Sequence, residues 1–596
     1  MLHVELGDDA LRPSVAARGD TAVILDGVLL DRSVVAAGVG GSAPSDEPDA
    51  AFVLRAYLDI GERVLPLLRG SFGLIIWDGR RDTALFVRDA TDSHPLFVSR
   101  EPDRVLVSSS YGALLDLGGV APDVDRLALA RWAILGSMLP RRTLYARIER
   151  LPPGHVLTAT PDGVRTRRYW HPRAASPVGN LTPADAADRL QELLDQAVAR
   201  DAAAGRLGVF LSGGVDSAAV AASAATVARA RSLPAPLALS CIFPTPEGDE
   251  EAAQRAVAGG LDIPQLVVPL LDGVGGDGLL AAALRLSQVA WTPCVNPWEP
   301  VYVRLAERAA ASGCEVILSG EGGNDWFEAE WAEAADLIRG FRLVTLWRLW
   351  SQERRHRRHR RAAARAIFWD HGTRLLLRDF ARAALEQVSN SLAAERRYRR
   401  AAASIDSGWA LPDRDLLEAL ADELLESRTT GRRLSYHVEA KERRLESVHM
   451  VVPMENRFLF GRRIGVRFLN PVVDPDLVSF AFGLPAALIN AGDRAKGLAR
   501  ESVRRRAGET PAGLLGTASV GGFFGSLLRD EAPRALEALS GLQRLGELGI
   551  VDGRSFAATL KGPGLGTELS YYQAWQVLAS EAWLTAQPAK AGGCVD

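Results

Sequence analysis

The segment best suited to carry chemistry is Ser-Gly-Gly-Val-Asp-Ser, residues 212–217. An apolar run ending in Leu211 leads into it and an alanine-rich helical pattern follows, so its two glycines stand where a buried strand passes into a helix. Glycine lets backbone N–H groups approach a ligand closely, and the start of a helix adds unpaired donors with partial positive charge. The segment predicts a cradle for an anion, best suited to phosphate. The alternative is a turn that needs glycine for its geometry alone.

The acid in this segment suggests a second ligand. Asp216 would place a hard oxygen beside the bound phosphate, as a magnesium–phosphate complex requires. The loop lacks the G-x-x-x-x-G-K-[ST] pattern of a Walker loop and the lysine that belongs to it. We therefore expect a nucleotide site of a different type.

The surrounding elements predict an α/β protein. From Arg206 onward the apolar segments LGVFLS, PLALSCIF, PQLVVPL and CEVILSG alternate with helical segments, which indicates a parallel sheet covered on both faces. Residues from about 330 to 450 are rich in Arg, Ala and Leu and are predicted to be mostly helical. The first 170 or so residues contain short apolar strands broken by turns, which fit facing sheets with helices outside.

The best boundary is the loop at residues 173–183. Just at its end, Thr182 as N-cap, Pro183 at the first helical position and Asp185 three residues after the cap predict a helix start. We predict one domain over residues 1–172, a second over 181–585 and a disordered tail over 586–596.

The bulk composition describes an ordinary globular protein. The 596 residues are 47% apolar with a formal net charge of -3, so nothing draws the chain to nucleic acid or to an anionic membrane. The four cysteines are scattered without CxxC spacing, which favours reduced thiols, and neither a signal peptide nor a membrane span is evident. We expect a cytoplasmic protein without nucleic-acid or membrane partners.

Three motifs in order resemble those of the asparagine synthetase family, whose members split ATP to AMP and pyrophosphate. They are SGGVDS, LSGEGGNDWF (residues 318–327) and DRAKGLARESVRRR (residues 493–506). In addition, GSFGLIIWDGRRDTALFVRDATDSHPLF resembles the family's N-terminal glutamine amidotransferase domain. The resemblance implies an Ntn-hydrolase-like αββα sandwich followed by an adenine-nucleotide α-hydrolase-like synthetase domain with a parallel sheet and a large helical part. It also implies ATP and Mg²⁺ as cofactors.

The resemblance further assigns roles to residues. Lys496 would stabilise charge on the phosphate and on the reacting carboxyl group, and Glu321 would help to deprotonate the attacking amine. Asp216, with Asn324 or Asp325, would hold magnesium. The nucleotide would be bound by Leu211, Ser212, Gly213, Gly214, Asp216, Ser217, Ser240, Ile242, Phe243, Ser319 and Gly320.

Several positions depart from the family pattern. Asn324 stands where the family has its second magnesium aspartate, with Asp325 one residue later. Either an amide oxygen holds the metal, or a shift of the loop lets Asp325 take over. Arg467 in VRFLNPVVD stands where the family has a glutamate, and the basic residues usual near GLLGTASVGGFF are missing. These differences near the substrate suggest an unusual substrate.

The N-terminal domain is predicted to be a degenerate glutaminase. Relatives that use glutamine need a cysteine at the mature N-terminus, whereas this chain begins Met1-Leu2-His3 and its first cysteine is Cys241. The sequence LDGVLLD also stands where those relatives have N-G-E-x-Y-N. We therefore expect the amine to come from a source other than glutamine.

Two branches of the family join an amine and a carboxylate of one molecule. One closes a β-lactam ring and usually carries tyrosine at the position of Glu321. The other, the lasso peptide cyclases, joins a peptide's N-terminal amine to an Asp or Glu side chain. We favour the second, which implies a precursor peptide as substrate and a leader peptidase and a leader-recognition protein as partners. A ligase acting on a small molecule and a non-catalytic nucleotide-binding scaffold remain alternatives. The arginine-rich helical region could offer a basic surface to an acidic partner.

Overall fold

The structure is a computed structural model. It describes residues 13–41, 44, 46–91, 93–172, 181–272, 274–356, 360–388, 390–405, 408–426, 435–445, 448–490, 495–516, 520–562, 565 and 568–587. We call residues 13–172 the N-terminal part and residues 181–587 the C-terminal part. Most of the predicted tail, residues 588–596, lies outside the described residues.

The N-terminal part is built on two antiparallel sheets. A six-stranded sheet has the order β1-β2-β3-β4-β8-β9 and a three-stranded sheet has the order β6-β5-β7. The strands are β1 (Ser14–Arg18), β2 (Thr21–Asp31), β3 (Arg69–Asp78), β4 (Thr83–Arg88), β5 (Phe97–Arg100), β6 (Val105–Ser108), β7 (Glu149–Arg150), β8 (His155–Thr160) and β9 (Gly163–Arg168). The helices are α1 (Ser33–Val39), α2 (Asp49–Ile60) and α3 (Arg126–Leu135), with a 3₁₀ helix at Gly61–Leu67 and a π helix at Ala113–Leu117.

Alternation along the strands gives the large sheet two apolar faces. On β3, Leu74 and Ile76 pack on the side of α2. Ile75 and Trp77, the residues between and after them, pack with Val98 of the smaller sheet. The large sheet is therefore covered by helix on one face and by the second sheet on the other.

The C-terminal part contains a five-stranded parallel sheet in the order β12-β11-β10-β13-β14. Its strands are β10 (Leu207–Phe210), β11 (Leu237–Ile242), β12 (Gln265–Pro269), β13 (Val316–Leu318) and β14 (Arg467–Leu469). The helices along this sheet are α4 (Pro183–Asp201), α5 (Val215–Ala230), α6 (Glu251–Leu261), α7 (Leu279–Val289) and α8 (Glu299–Ala311). Val209 and Phe210 belong to cores on opposite faces, so the predicted two-sided parallel sheet is confirmed.

The remainder of the C-terminal part is almost entirely helical. Its helices are α9 (Gly323–Trp326), α10 (Glu333–Arg339), α11 (Leu343–His356), α12 (Arg360–Ala364), α13 (Arg374–Val388), α14 (Asn390–Ile405), α15 (Arg414–Glu426), α16 (Tyr436–Leu445), α17 (Val448–Ile464), α18 (Pro475–Gly483), α19 (Ala486–Ile489), α20 (Gly497–Ala507), α21 (Glu509–Leu514), α22 (Gly521–Ala538), α23 (Gln543–Glu547), α24 (Gly553–Lys561) and α25 (Glu568–Ala586), with a π helix at Arg365–Thr373. In the part of the chain that the structure describes, no helix combines the length and the apolar character needed to cross a membrane.

Two predicted boundaries can be compared with the structure. Helix α4 begins with the predicted capping box: the Thr182 side chain accepts from the Asp185 N–H, and the Asp185 side chain accepts from the Thr182 N–H. At the other end, Ala586 is the last residue of α25, one residue into the predicted tail. Gln587 is held as well, because the Tyr145 hydroxyl donates to its side-chain oxygen at 2.9 Å.

A buried charge network joins the two parts. Glu455 on α17 accepts from Arg150 Nε at 2.6 Å and Nη2 at 2.8 Å, and from Arg88 Nη1 at 3.3 Å. All three side chains are fully buried. A buried charge needs its partners, so this network fixes α17 against the N-terminal part.

Candidate nucleotide site

The predicted phosphate loop lies between β10 and α5, and hydrogen bonds to its own serine hydroxyl groups hold its backbone. The Ser212 N–H donates to Ser217 Oγ at 3.1 Å, and the Gly214 N–H donates to Ser212 Oγ at 3.2 Å. The Gly213 N–H donates to a carboxylate oxygen of Glu250 at 3.0 Å. An anionic oxygen thus lies against one of the donors predicted to face phosphate, which shows that an anion fits there.

A second loop, at residues 319–324, packs directly on the first. Glycines permit the contact: a Cβ on Gly320 would lie 2.5 Å from the Ser217 nitrogen, and a Cβ on Gly323 would lie 2.1 Å from Cγ of Asp216. Real Cβ atoms do not come this close to such neighbours. The glycines of the second motif are therefore required to bring its loop against Asp216.

We call the contact between the two loops, at Asp216 and Gly323, the junction. Lys496 reaches the junction from the start of α20. Its backbone is in the left-handed region, with φ 57°, and its N–H donates to the Asn490 side chain at 3.3 Å. Its Nζ lies 2.5 Å from Asp216 Oδ2 and 2.6 Å from Asn324 Oδ1. The structure thus brings together three residues, far apart in sequence, that were assigned to catalysis or to the metal.

The junction has oxygen atoms suited to a hard cation. The second oxygen of Asp216, Oδ1, is buried and has no hydrogen-bond partner. Burial raises the pKa of Asp216, although Lys496 acts against this effect. A cation beside Oδ1 would supply the missing partner, so the residues fit Mg²⁺. Among the described residues no three His, Cys, Asp or Glu side chains form a ready-made metal cage. Phosphate oxygens and water would have to complete the coordination.

The two candidate metal ligands of the second loop, Asn324 and Asp325, differ in their contacts. The Asp325 main-chain carbonyl accepts from Arg444 Nη1 at 2.6 Å. Asn324, by contrast, contacts Lys496 at the junction itself. The geometry therefore favours the amide oxygen of Asn324 over Asp325 as the nearer candidate ligand, and both assignments stay predictions.

Glu321 forms an ion pair that sequence reasoning missed. Its carboxylate contacts Arg457 of α17, and the same guanidinium lies 3.7 Å from Glu299 at the start of α8. Glu299 and Arg457 are both buried, whereas Glu321 is one-third exposed. Burial raises the pKa of Glu299 in spite of Arg457, while the two carboxylates raise the pKa of Arg457 against the effect of its own burial. Glu321 is thus held at the edge of the site by a buried cation.

The residues predicted to surround the adenine lie at the ends of β10 and β11. Ser240 is fully buried, and its hydroxyl donates to the Leu211 carbonyl at 2.9 Å. Its side chain therefore holds the residue that precedes the predicted phosphate loop. The Ile242 carbonyl accepts from the Leu270 N–H at 2.9 Å. Phe243 packs edge-on against Trp298 with ring centroids 5.7 Å apart. Ser319 is buried in the second loop, and its Oγ accepts from the Glu321 N–H at 3.4 Å.

A cavity between the two parts lies at the position of the predicted degenerate glutaminase. It is lined by Asp26, Gly27, Ser71, Ser93, His94, Phe458, Arg462 and residues 466–469. Asp26 accepts from Ser109 Oγ at 2.7 Å and lies 3.2 Å from His94 Nε2 and 3.7 Å from Arg462. Burial would raise the pKa of Asp26, but His94, Ser109 and Arg462 together hold it below its usual range. The polar groups around Asp26 are therefore paired with one another.

Fold and site define a protein of two parts: an antiparallel two-sheet part, and a parallel-sheet part with a glycine loop between β10 and α5. Residues 189–585 match the asparagine synthase family, and residues 3–170 match the glutamine amidotransferase domain. The chain belongs to the asparagine synthase family.

Individual relatives are distant. The chain is 29% identical over 299 residues to a putative glutamine-hydrolyzing asparagine synthetase of Mycobacterium tuberculosis H37Rv, covering 48% of this chain and 44% of that protein. It is 30% identical over 179 residues to asparagine synthetase 3 of Bacillus subtilis, covering 30% of this chain and 29% of that protein. It is also 26% identical to the amidase chyE of Penicillium rubens, over 49% of this chain and 44% of that protein. The chain thus spans less than half the length of the curated relatives it matches.

A solved glutamine phosphoribosylpyrophosphate amidotransferase of B. subtilis also matches. It is 12% identical and covers 43% of this chain and 48% of its own, with a TM-score of 0.18. This score is too low to support any argument about the fold.

Proposed function

We propose that the protein is an ATP-dependent amide ligase that forms AMP and pyrophosphate. The observation that carries the proposal is the meeting of Asp216, Asn324 and Lys496 beside the phosphate loop. A carboxylate reacts with an amine only after its oxygen has become part of a good leaving group. Attack of the carboxylate on the α-phosphorus of ATP achieves this: an acyl-AMP forms and pyrophosphate leaves, and AMP leaves in turn when the amine attacks the acyl carbon. The ammonium of Lys496 is placed to offset negative charge that develops during this transfer. Similarity to asparagine synthetases supports the same reaction class.

In this proposal the loop residues bind the triphosphate. Ser212, Gly213, Gly214 and Ser217 provide N–H and hydroxyl groups, and the Glu250 carboxylate would give up its contact with Gly213 to a phosphate oxygen. Magnesium, when bound, would neutralise phosphate charge. Its protein ligand would be Asp216, whose Oδ1 has no other partner, with Asn324 beside it.

Glu321 is our candidate for accepting the proton of the attacking amine. Glu321 is the second residue after the buried Ser319, and its N–H donates to Ser319 Oγ. Its side chain is partly exposed and is fixed by Arg457. A general base must be held within hydrogen-bond reach of the proton it removes, and the ion pair provides that fixation.

For the substrate, we propose that amine and carboxylate belong to one precursor peptide, as in lasso peptide cyclases. The Asp26 region supports this proposal, since its polar groups are paired with one another where glutamine-using relatives have N-G-E-x-Y-N. The acid at position 321 also differs from the tyrosine usual in β-lactam-forming relatives. A leader peptidase and a leader-recognition protein would then be the partners, and the cytoplasm the site of action.

Pyrophosphate release from Mg-ATP tests both the proposed ligase activity and the proposed peptide substrate. One reaction contains a peptide with an N-terminal glycine and an Asp or Glu several residues on, and a second contains free aspartate with ammonium. Release that requires the peptide, with AMP and a product lighter by one water, supports the cyclase. Release with aspartate and ammonium alone would contradict the peptide substrate and retain the ligase.

Lysine variants separate catalysis from mere nucleotide binding. Lys496→Met should abolish release, whereas Lys561→Met, at an exposed lysine on α24, should leave it unchanged. Equal activity of Lys496→Met and the wild type would contradict the proposed ligase.

A further inference from the structure

An unusual density of exposed apolar side chains lies on the helices that follow the second site loop. Of the fourteen large apolar residues that stand exposed among the described residues, eight fall within residues 341–380. One precedes α11, three lie at the start of α11, two on the π helix and two on α13: Phe341, Leu343, Val344, Trp347, Phe368, Trp369, Leu377 and Phe380. We call these eight residues, together with the neighbouring Arg342, Arg348 and Arg378, the aromatic–arginine surface. Clusters of this kind mark interaction sites rather than ordinary solvent-facing surface.

The surface rests on well-packed helices. On α11, Leu346 and Leu349 are buried in the same core as the parallel sheet, and so is Ile367 of the π helix. Trp350 and Phe368 join α11 to the π helix with ring centroids 6.4 Å apart. The exposed side chains therefore project from a fixed support.

The most exposed of these residues has a costly backbone conformation. Phe341 is 85% exposed, and its φ of 52° lies in the left-handed region, where a bulky residue is disfavoured. It occupies the sharp turn between α10 and α11, and its exposed side chain gains little from packing inside the chain. A strained and exposed aromatic residue suggests selection for a contact outside the chain.

The charge of the segment indicates what kind of partner fits. Residues 341–380 contain eleven arginines and three acids, Glu353, Asp370 and Asp379. Arg342 and Arg348 flank the apolar residues of α11, and Arg378 lies between Leu377 and Phe380. These three arginines form no ion pair with any residue in the described ranges. Arg342 acts on the Glu333 carboxylate only through a longer-range electrostatic interaction. Guanidinium groups that form no ion pair and are adjacent in sequence to exposed apolar residues are suited to carboxylates on a partner surface.

We propose that the aromatic–arginine surface docks an acidic amphipathic segment of a partner polypeptide. A second copy of this chain fits less well, because a symmetric contact would bring the arginine-rich surfaces face to face. An anionic membrane fits less well too, because the arginines are interleaved with the apolar residues instead of forming a separate polar face. Carboxylates interleaved with apolar residues in one helical segment match both features. The inference does not depend on the proposed ligase activity.

Peptide binding to the full-length protein tests the proposal. The probe is a fluorescent synthetic peptide with Leu and Phe at helical spacing and Glu elsewhere, followed by anisotropy. The comparison peptide has every Glu replaced by Lys. We expect saturable binding of the acidic peptide and at least about tenfold weaker binding of the basic one, with an affinity for the acidic peptide that falls as salt rises.

Variants locate the binding site. Phe341→Ser with Trp347→Ser should weaken binding by about tenfold or more, the size expected for lost aromatic anchors. Arg342→Glu with Arg348→Glu should weaken it comparably. Leu117→Ser with Leu271→Ser removes two exposed apolar residues elsewhere and should have no effect. Circular dichroism checks that each variant is folded.

Three results would overturn the proposal. They are equal binding of the acidic and basic peptides, equal weakening by the Leu117 and Leu271 control variant, and no binding of the acidic peptide at all. Sedimentation with vesicles of phosphatidylcholine and phosphatidylserine, lost in the Phe341 and Trp347 variant, would assign the surface to a membrane instead.

Discussion

Replacing Glu455 with glutamine should destabilise the protein strongly without changing the size of the side chain. Glu455 accepts two hydrogen bonds from Arg150, at 2.6 and 2.8 Å, and one from Arg88 at 3.3 Å. None of the three side chains is exposed to solvent. The glutamine amide keeps one acceptor oxygen but turns an NH₂ group toward a guanidinium, so a donor faces a donor.

The size of the effect follows from these contacts. One charge-assisted hydrogen bond is lost, which costs about 1.5–3 kcal/mol. Two buried guanidinium groups are also left without their carboxylate, and removal of one member of a buried ion pair costs about 3–5 kcal/mol in total. We therefore expect Glu455→Gln to lower the free energy of unfolding by about 3–5 kcal/mol.

Equilibrium unfolding in urea, followed by tryptophan fluorescence and circular dichroism, measures this loss. The control is Glu192→Gln, which breaks the exposed pair between Arg189 and Glu192 and should cause no measurable change. A loss below about 1 kcal/mol for Glu455→Gln would show that the two guanidinium groups do not need this carboxylate. The triple variant Arg88→Met, Arg150→Met, Glu455→Leu removes all three charges together. It should be closer to wild-type stability than Glu455→Gln, because it leaves no charge unpaired.

Three further predictions concern the site and the pH dependence of stability. Gly323→Ala should reduce pyrophosphate release by about a hundredfold or more with the fold retained, because its Cβ would displace the Asp216 carboxylate. Release at the wild-type rate would contradict a role for the contact between Gly323 and Asp216. Arg457→Met should lower kcat and change the pH profile while the KM for ATP stays the same, since Glu321 loses its fixation, and Arg457→Lys should restore part of kcat; an unchanged pH profile would leave Arg457 a purely structural role. Burial lowers the pKa of His155 from 6.5 to about 4, so the unfolded chain takes up a proton first and stability falls as the pH drops from 6.5 toward 4, by up to about 3 kcal/mol. Urea midpoints across this range should fall less for His155→Asn, and an equal fall would show that other groups dominate.

Local features of the fold were predictable from the sequence because their causes are local. The capping box of α4 needs only Thr182 and Asp185, three residues apart. The four predicted strands of the parallel sheet follow from continuous apolar runs between helical segments. The fifth, β14, has only three residues, Arg467–Leu469, and carries a charge, so no apolar run marks it. It is defined by its pairing with β13.

The candidate site was predictable only in part, for a related reason. The Lys496 contact with Asp216 spans 280 residues and was anticipated through motifs, each of which has its own signature. The Glu321–Arg457 pair has no such signature, because Arg457 is one of many arginines in this region. Burial distinguishes it, and burial is a property of the assembled fold. Glu250 was missed likewise, since its contact with Gly213 depends on how the chain turns after β11.

Helix α17 connects the two parts to one another and to the site. Residues three and seven positions apart share a helix face, so Glu455, Phe458 and Arg462 point the same way. They meet the N-terminal part: Glu455 through Arg88 and Arg150, Phe458 through His94 with ring centroids 4.6 Å apart, and Arg462 through Asp26.

Arg457 points to the opposite face of α17 and holds Glu321. Removal of the N-terminal part would leave the Glu455 carboxylate without its cations and would expose the helix face that carries Phe458. Arg457 lies on the same two turns of α17, so a change in the position of these turns would also move Arg457. The N-terminal part therefore supports the geometry of the candidate nucleotide site through α17. If the proposed ligase uses no glutamine, this support is a physical reason for the chain to retain the N-terminal part.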